Sequence, residues 1–392
     1  MISRKMGAIV AAAGCSALAG WFVVASAQRG PGAAQASLDG RHTLGQPKAF
    51  RNLAIYPVYD ASARAGDTYI TLDEGLKAHR VTVKESPDGG SVTTLYITNR
   101  SPRPLYVMAG EVVLGGQQDR TLARDTIVAA GKTRMPVTVF CVEHGRWSGR
   151  SEFGNSAPAV ASLSIRASAM SGEFNAERKR IAARSGAAGR AATPVDSQGV
   201  AGGVQSEMAP RAEDTEDVAK AQQEVWDGVA AKNRKFKIQN RTGTYRDALT
   251  LNGGDAQKSV PAYVKSLSAG FGENSSRLVG VVAAVNGKVI AADIFSEPAL
   301  FHKLWPKLLR SYASDAVEGA PASGSAAPGK RLSVREVKAF MGAARNERSK
   351  QVNDTDGGRL LRYESDGASV YGLVPAGRAA GGAPVHESFI KK

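Results

Sequence analysis

Two short stretches concentrate the groups that can do chemistry. In GEVVLGGQQDR, Gly110 to Arg120, Glu111 interrupts an apolar run. Gly115 and Gly116 follow, then Gln117, Gln118, Asp119 and Arg120 without a break. In VEHGRW, Glu143, His144, Gly145, Arg146 and Trp147 crowd the end of a second apolar run. Glutamine both donates and accepts, a carboxylate accepts, and arginine presents a planar cationic fork. Paired glycines turn the chain or admit a close backbone approach. Arginine beside tryptophan suits an anionic or planar ligand through charge and stacking. Glu111, Asp119 and Glu143 are also candidate catalytic carboxylates. A hydrolase built on two of them needs the pair about 5–10 Å apart across a cleft. The structural alternative stays open for each stretch: Glu111 beside Arg120, Arg124 or Arg146 at a sheet rim, a polar hairpin end, and a salt bridge with a capping tryptophan.

Other chemistries find no support. AAGKT, Ala129 to Thr133, lacks the upstream glycine of a phosphate loop, since Thr126 stands there. His42, His79, His144, His302 and His386 have no metal-ligand spacing, so no metal is expected. Neither a nucleophile elbow nor a dinucleotide fingerprint occurs, so no cofactor is expected. Cys141, in the doubly apolar run PVTVFCVE, reads as a buried structural thiol.

The elements that must position these groups are mostly strands up to Trp147. NLAIYPVY, TYITL, LKAHRVTVKE, SVTTLYITNRS, RPLYVMAGEVVL, DTIVAAGK and MPVTVFCVEHGRW alternate with turn residues such as Pro87-Asp88-Gly89-Gly90. In a continuous strand, Leu105, Val107, Ala109, Glu111 and Val113 would share one face. Helical character begins near Ser164. Val218, Ala221, Val225 and Val229 form a helical stripe, with acids early and lysines late. A further helix is expected from Ser259, with Pro261 in its first turn. RLVGVVAAVNGKVIAADIF predicts a hairpin around Asn286-Gly287, and Pro298 opens a helix burying Leu300, Phe301, Leu304 and Leu308. Ser333 and Glu336 form a capping box, and the chain ends in strands. Helices are grouped rather than alternating with strands. The expected class is α+β, an antiparallel β-rich, sandwich-like core with a C-terminal strand return.

The N-terminus predicts export. Arg4 and Lys5 precede an apolar stretch, residues 6–27, that ends in the small-residue site Ala25-Ser26-Ala27. Residues 1–27 therefore read as a signal peptide, with an uncleaved membrane anchor as the alternative. The mature chain would be periplasmic or extracellular, touching a membrane only if that segment stays. Cys15 would leave with it, so no intramolecular disulfide is expected. Residues 28–48 read as spacer. Residues 49–392 read as one domain, with low-complexity insertions at about 184–211 and 319–331. The net charge of +15 permits an anionic partner, but no basic run is interleaved with aromatics, which argues against nucleic acid.

LYVMAGEVVLGGQQDRTLARDTIVAAGKTRMPVTVFCVEHGRW, GVVAAVNGKVIAADIF and FHKLWPKLLRSYASDA together resemble the ARG and rhodanese-phosphatase-superfamily-associated protein domain, from about Asn52 onward. The resemblance implies functional weight on Gly110, Glu111, Gly115, Gly116, Gln118, Arg120, Glu143, Gly145, Arg146 and Trp147. The family name points toward nucleotide-derived ligands. The expected function is binding of a small polar or anionic ligand. An envelope structural or interaction role, and a hydrolase using paired carboxylates, are the alternatives.

Overall fold

The computed structural model describes residues 36–63, 66–86, 93–146, 148–149, 151–190, 215–250, 254–269, 276–320, 331–345, 347–355, 357–378 and 382–392. The N-terminal segment read as a signal peptide, the Pro87–Gly90 turn, Trp147 and most of both insertions lie outside the described residues. Residues from Gln35 to Lys392 form one compact unit.

The chain opens with β1 (Ala36–Ser37), β2 (His42–Leu44), β3 (Lys48–Phe50) and β4 (Leu53–Asp60). Next come β5 (Ile70–Thr71), α1 (Leu72–Lys77), β6 (Val81–Lys84), β7 (Thr94–Asn99), β8 (Leu105–Val107) and β9 (Val112–Gly115). β10 (Arg120–Leu122), β11 (Thr126–Val128), β12 (Met135–Cys141) and β13 (Glu152–Ser156) complete the first half. The helices α2 (Leu163–Arg190), α3 (Thr215–Lys235), α4 (Arg246–Thr250) and α5 (Gly254–Ser268) follow. The hairpin β14 (Leu278–Val285) and β15 (Lys288–Phe295) leads to α6 (Pro298–Glu318) and α7 (Val334–Ala344). The end is β16 (Gln351–Thr355), β17 (Gly358–Glu364), β18 (Ala368–Pro375) and β19 (His386–Lys391).

The class is α+β with an antiparallel β-rich core. Within it, β10, β12, β7, β6, β13 and β9 close into a barrel. A ten-stranded sheet runs β1-β2-β4-β14-β15-β19-β18-β17-β16, with β3 also on β4. A small sheet, β11-β8-β5, completes the β structure. β19 pairs with both β15 and β18, which is the strand return expected of the C-terminus.

Strand periodicity sorts side chains into three main cores. Leu53 and Ile55 of β4 face one side of the large sheet with Val281 and Ala283, under α5 and α6. Ala54, Tyr56 and Val58 face the other with Val282 and Ala292, under Val337 and Met341 of α7. A sheet covered on both faces explains the unbroken apolar run of β14. Val83, Ile97, Val113, Leu122, Val137, Val139 and Phe153 fill the barrel. Asn286 and Gly287 both take positive φ, 52° and 71°, as the tight hairpin turn requires.

Four local expectations change. TYITL is strand only at Ile70–Thr71, because Thr71 and Glu74 form a capping box that starts α1. α5 begins before Ser259, so Pro261 lies inside the helix. β1 and β2 give paired structure to residues read as spacer. RPLYVMAGEVVL is not one strand. Gly110 takes φ 84°, and the chain turns between β8 and β9, so Glu111 does not share a strand face with Leu105.

Candidate functional site

Gly115, Gly116, Asp119, Glu143 and Arg146 meet at one end of the barrel. Arg146 Nε donates to Glu143 Oε2 at 2.8 Å. Its Nη1 donates to the carbonyls of Gly116 and Ser148 at 2.8 and 3.0 Å. Its Nη2 donates to the Gly115 carbonyl at 3.2 Å and to Asp119 Oδ1 at 3.3 Å. Arg246 grips the same carboxylate, Nη2 to Oδ1 at 2.7 Å and Nε to Oδ2 at 3.0 Å. Asp119 Oδ1 also accepts the Gly115 N–H at 2.9 Å. Burial works against the Glu143 charge, but its bonds to Arg146 and Thr242 hold the carboxyl below the usual range. Gly145 joins through its backbone, its N–H donating to Thr242 O at 2.7 Å. Gly116, at φ 56°, leaves room for Phe153: a Cβ there would come within 2.3 Å of that ring.

Just inside this knot, Gln118 and Arg120 form a second group. Arg120 is in register with Cys141 and Val113, on the face that carries Leu122 into the barrel. Its Nη1 donates to Gln118 Oε1 at 3.0 Å, and its Nη2 stands 3.6 Å from Glu85 Oε1. Among the described residues, Gln118 Nε2, Arg120 Nε and Glu85 Oε2 have no hydrogen-bond partner. Cys141 is buried, and burial pushes its thiol up. That fits a structural cysteine rather than a nucleophile.

Gly110 and Glu111 belong elsewhere. None of the arginines considered from sequence pairs with Glu111. Lys307 of α6 does, Nζ to Oε1 at 2.6 Å, while the Met108 N–H donates to Oε2 at 2.9 Å. Lys307 also touches Ser156 and Asp73, at 3.0 and 2.9 Å. Burial raises the Glu111 carboxyl, and Lys307 opposes that shift. Gly110 packs on Arg166, whose Cγ would lie 2.3 Å from any Cβ at that position.

Arg166 opens the group that sequence reading missed. It is fully buried, and its Nη2 donates to Asp293 Oδ1 at 2.9 Å and to Ser388 Oγ at 2.7 Å. Tyr312 donates to Asp293 Oδ2. His386 is clamped between two carboxylates, Nδ1 on Asp125 Oδ2 at 2.7 Å and Nε2 on Asp293 Oδ1 at 3.0 Å. Its ring stacks on Phe295 at 4.2 Å. Both nitrogens can donate only in the imidazolium form. Burial opposes that charge, yet Asp125 and Asp293 prevail and push the pKa up to about 9. Asp293 also loses charge stability to burial, but Arg166 and His386 hold it well below the usual carboxylate range. Asp293 in VIAADIF carried the same sequence signal as Glu111, an acid inside an apolar run.

Asp125 links this group to a hollow between the β10–β11 loop, α2 and the β17–β18 hairpin. The hollow has about 20 Å³ of water-sized space, opens partly to solvent, and is lined by Arg124, Asp125, Met170, Glu173, Phe174, Leu360, Leu361, Tyr371 and Gly372. Glu173 is 1% exposed, and among the described residues neither carboxylate oxygen has a hydrogen bond of full geometry, although the Thr138 hydroxyl is near enough to favour its charge. Arg124 Nε at 3.4 Å and Arg180 Nη1 at 3.7 Å are near but not closed on it. Burial raises its carboxyl, with Arg124 and Arg180 opposing. The structure thus gathers six of the sequence-predicted residues, Gly115, Gly116, Asp119, Glu143, Gly145 and Arg146, into the Arg146 knot and sets Gln118 and Arg120 beside it. Gly110 and Glu111 lie apart from that knot, and Trp147 is outside the described residues. Among the described residues, no three His, Cys, Asp or Glu side chains are grouped to hold a metal ion. No helix among them is long and apolar enough to cross a membrane.

No curated protein and no solved structure matches the chain. The family profile of the ARG and Rhodanese-Phosphatase-superfamily-associated Protein domain matches residues 41–390, which takes in the barrel, the large sheet apart from β1, the Arg146 knot and the Arg166–His386 centre. On that span, nearly the whole of the described fold, the chain belongs to this family.

Proposed function

We propose that this is an exported protein whose domain binds a small polar ligand in the α2 hollow. The observation that carries this reading is Glu173: a buried carboxylate lining a hollow, held by Arg124 and Arg180 only through ion pairs of 3.4 and 3.7 Å, without a hydrogen bond of full geometry among the described residues. A buried acceptor without a donor is costly, so a ligand bringing donors gains the full bond. The complementary ligand offers an amine or amide to Glu173 and an acceptor to Arg124. A zwitterion of amino-acid size has both. The rigid ionic centre behind Asp125 holds one wall in place. Export rests on the n-region, apolar stretch and cleavage site at residues 4–27.

Calorimetric titration with glycine, ethanolamine and acetate tests the ligand reading. Glycine should bind most tightly to the native protein, and Glu173→Gln and Arg124→Gln should each weaken it about tenfold or more, as loss of a charge-assisted bond does. Equal binding by the native protein and both variants would defeat it. A mature N-terminus at Gln28, read by mass spectrometry, tests export.

A structural role in the envelope is the second reading, and the Arg146 knot favours it. All three guanidinium nitrogens there are committed to protein acceptors. The same saturation speaks against hydrolysis by Asp119 and Glu143, since a general base needs a lone pair free for the proton it takes.

A further inference from the structure

A second hollow lies where the chain enters α2, under α4 and α6. It is shallow, with about 10 Å³ of water-sized space and an opening to solvent, and its wall includes Ala159, Val160, Ser162, Tyr245, Arg310 and Ser314. Arg310 is half-buried there. Among the described residues, no carboxylate or other acceptor reaches its guanidinium, and none takes the Ser314 hydroxyl. A guanidinium carries five donors in a fixed fork, shaped for a carboxylate or phosphate. Arg120, Arg146, Arg166 and Arg246 at the sites above each donate to a carboxylate, a carbonyl or an amide oxygen.

The nearby charges do not cancel Arg310. Asp315 accepts Lys232 Nζ at 2.9 Å and the Leu163 N–H at 3.3 Å, and Glu318 also pairs with Lys232. Those acids are therefore spent on a lysine. The Tyr245 hydroxyl accepts the Ser162 N–H at 3.1 Å, which leaves its own proton to donate. The Ser162 and Ser164 hydroxyls lie 3.4 Å apart at the rim. Apolar groups of Ala159 and Val160 complete the wall and lower the local dielectric, which strengthens any charge pair formed there.

We propose that this hollow is a binding site for a small oxyanion, a carboxylate or phosphate group. Arg310 donates the forked pair of bonds, and Ser314 and Tyr245 supply hydroxyl donors. The site is separate from the α2 hollow and does not depend on that reading.

The test is titration of the full chain with inorganic phosphate, sulfate and acetate, followed by calorimetry and thermal shift. Saturable binding in the native protein is expected. Arg310→Gln should weaken it about tenfold or more, and Ser314→Ala by a smaller factor. Arg310→Lys keeps the charge without the fork and should fall between. Lys391→Gln removes an equal charge at an exposed position and should leave binding unchanged. Preference for phosphate or for acetate tells which oxyanion the site takes. The proposal is overturned if none of the three anions binds saturably. It is equally overturned if Lys391→Gln weakens binding as much as Arg310→Gln, or if folded Arg310→Gln or Arg310→Lys binds as the native protein does.

Discussion

Arg146 and Arg310 are chemically identical and stand in opposite situations. Arg146 is spent on Glu143, Asp119 and three carbonyls at the barrel end. Arg310 lines an open hollow and meets no acceptor among the described residues. Glu111 and Glu173 repeat the contrast among the acids. Glu111 is closed by Lys307 and the Met108 N–H, whereas Glu173 lines a hollow with its bonds incomplete. Residue type therefore says little about use. A saturated ion holds the fold together, and an unsaturated one beside a hollow is where a ligand gains most.

The contrast breaks if closed and open sites respond alike to substitution. The largest expected effect is at a closed pair. Lys307→Met should destabilise the protein by about 3–5 kcal/mol, because Glu111 would be left buried without its cation. Adding Glu111→Leu should recover most of that loss, and a denaturation midpoint that stays low in the double variant would refute the pairing argument. Next is the alkaline limb of stability. The His386 pKa is raised to about 9 from an ordinary 6.5, so its contribution is whole below about pH 6.5 and is lost as pH rises through about 9. The loss should be on the order of 3 kcal/mol. Asp293, held low, works in the other direction, its contribution fading only as acid protonates it. His386→Asn should flatten the alkaline decline, and an unchanged slope between pH 7 and 9 would show that another group sets it.

Smaller again is Gly116→Ala. Positive φ and the Phe153 ring at 2.3 Å from the new Cβ predict a loss of about 1–3 kcal/mol in Tm and midpoint measurements. The smallest effect belongs to the open site. Glu173→Gln should change stability by less than about 1 kcal/mol, since burial already disfavours the charge it removes. A large loss there would place Glu173 with the closed ions and sharpen the boundary between the two kinds of site.

Much of the fold was legible from local chemistry. The Asn286-Gly287 hairpin, the Ser333–Glu336 box, the Val225 stripe and the Pro298 start are all present. Each is fixed by neighbours in sequence. The regular strand spacing fits a sandwich or a barrel-like sheet, but closure itself was not legible, because it depends on which distant strands pair and how they stagger. The strand break at Gly110 escaped for a related reason: the residue that packs on this positive-φ glycine, Arg166, lies far along the chain. For the site, the sequence marked Asp119, Glu143 and Arg146 as one group by composition and spacing. It could not supply Lys307, Arg246 or the Asp125–His386–Asp293 chain, whose members come from separate elements. An acid in an apolar run was the usable clue, and it applied to Asp293 as much as to Glu111.

β19 closes the seam between β15 and β18, and it brings His386 with it. A ribosome delivers those residues after every other element described. Until they emerge, the two halves of the large sheet have no common partner and the Asp125–Asp293 pair has no cation between them. The large sheet and the buried ionic centre are thus completed together, by the last strand of the described fold.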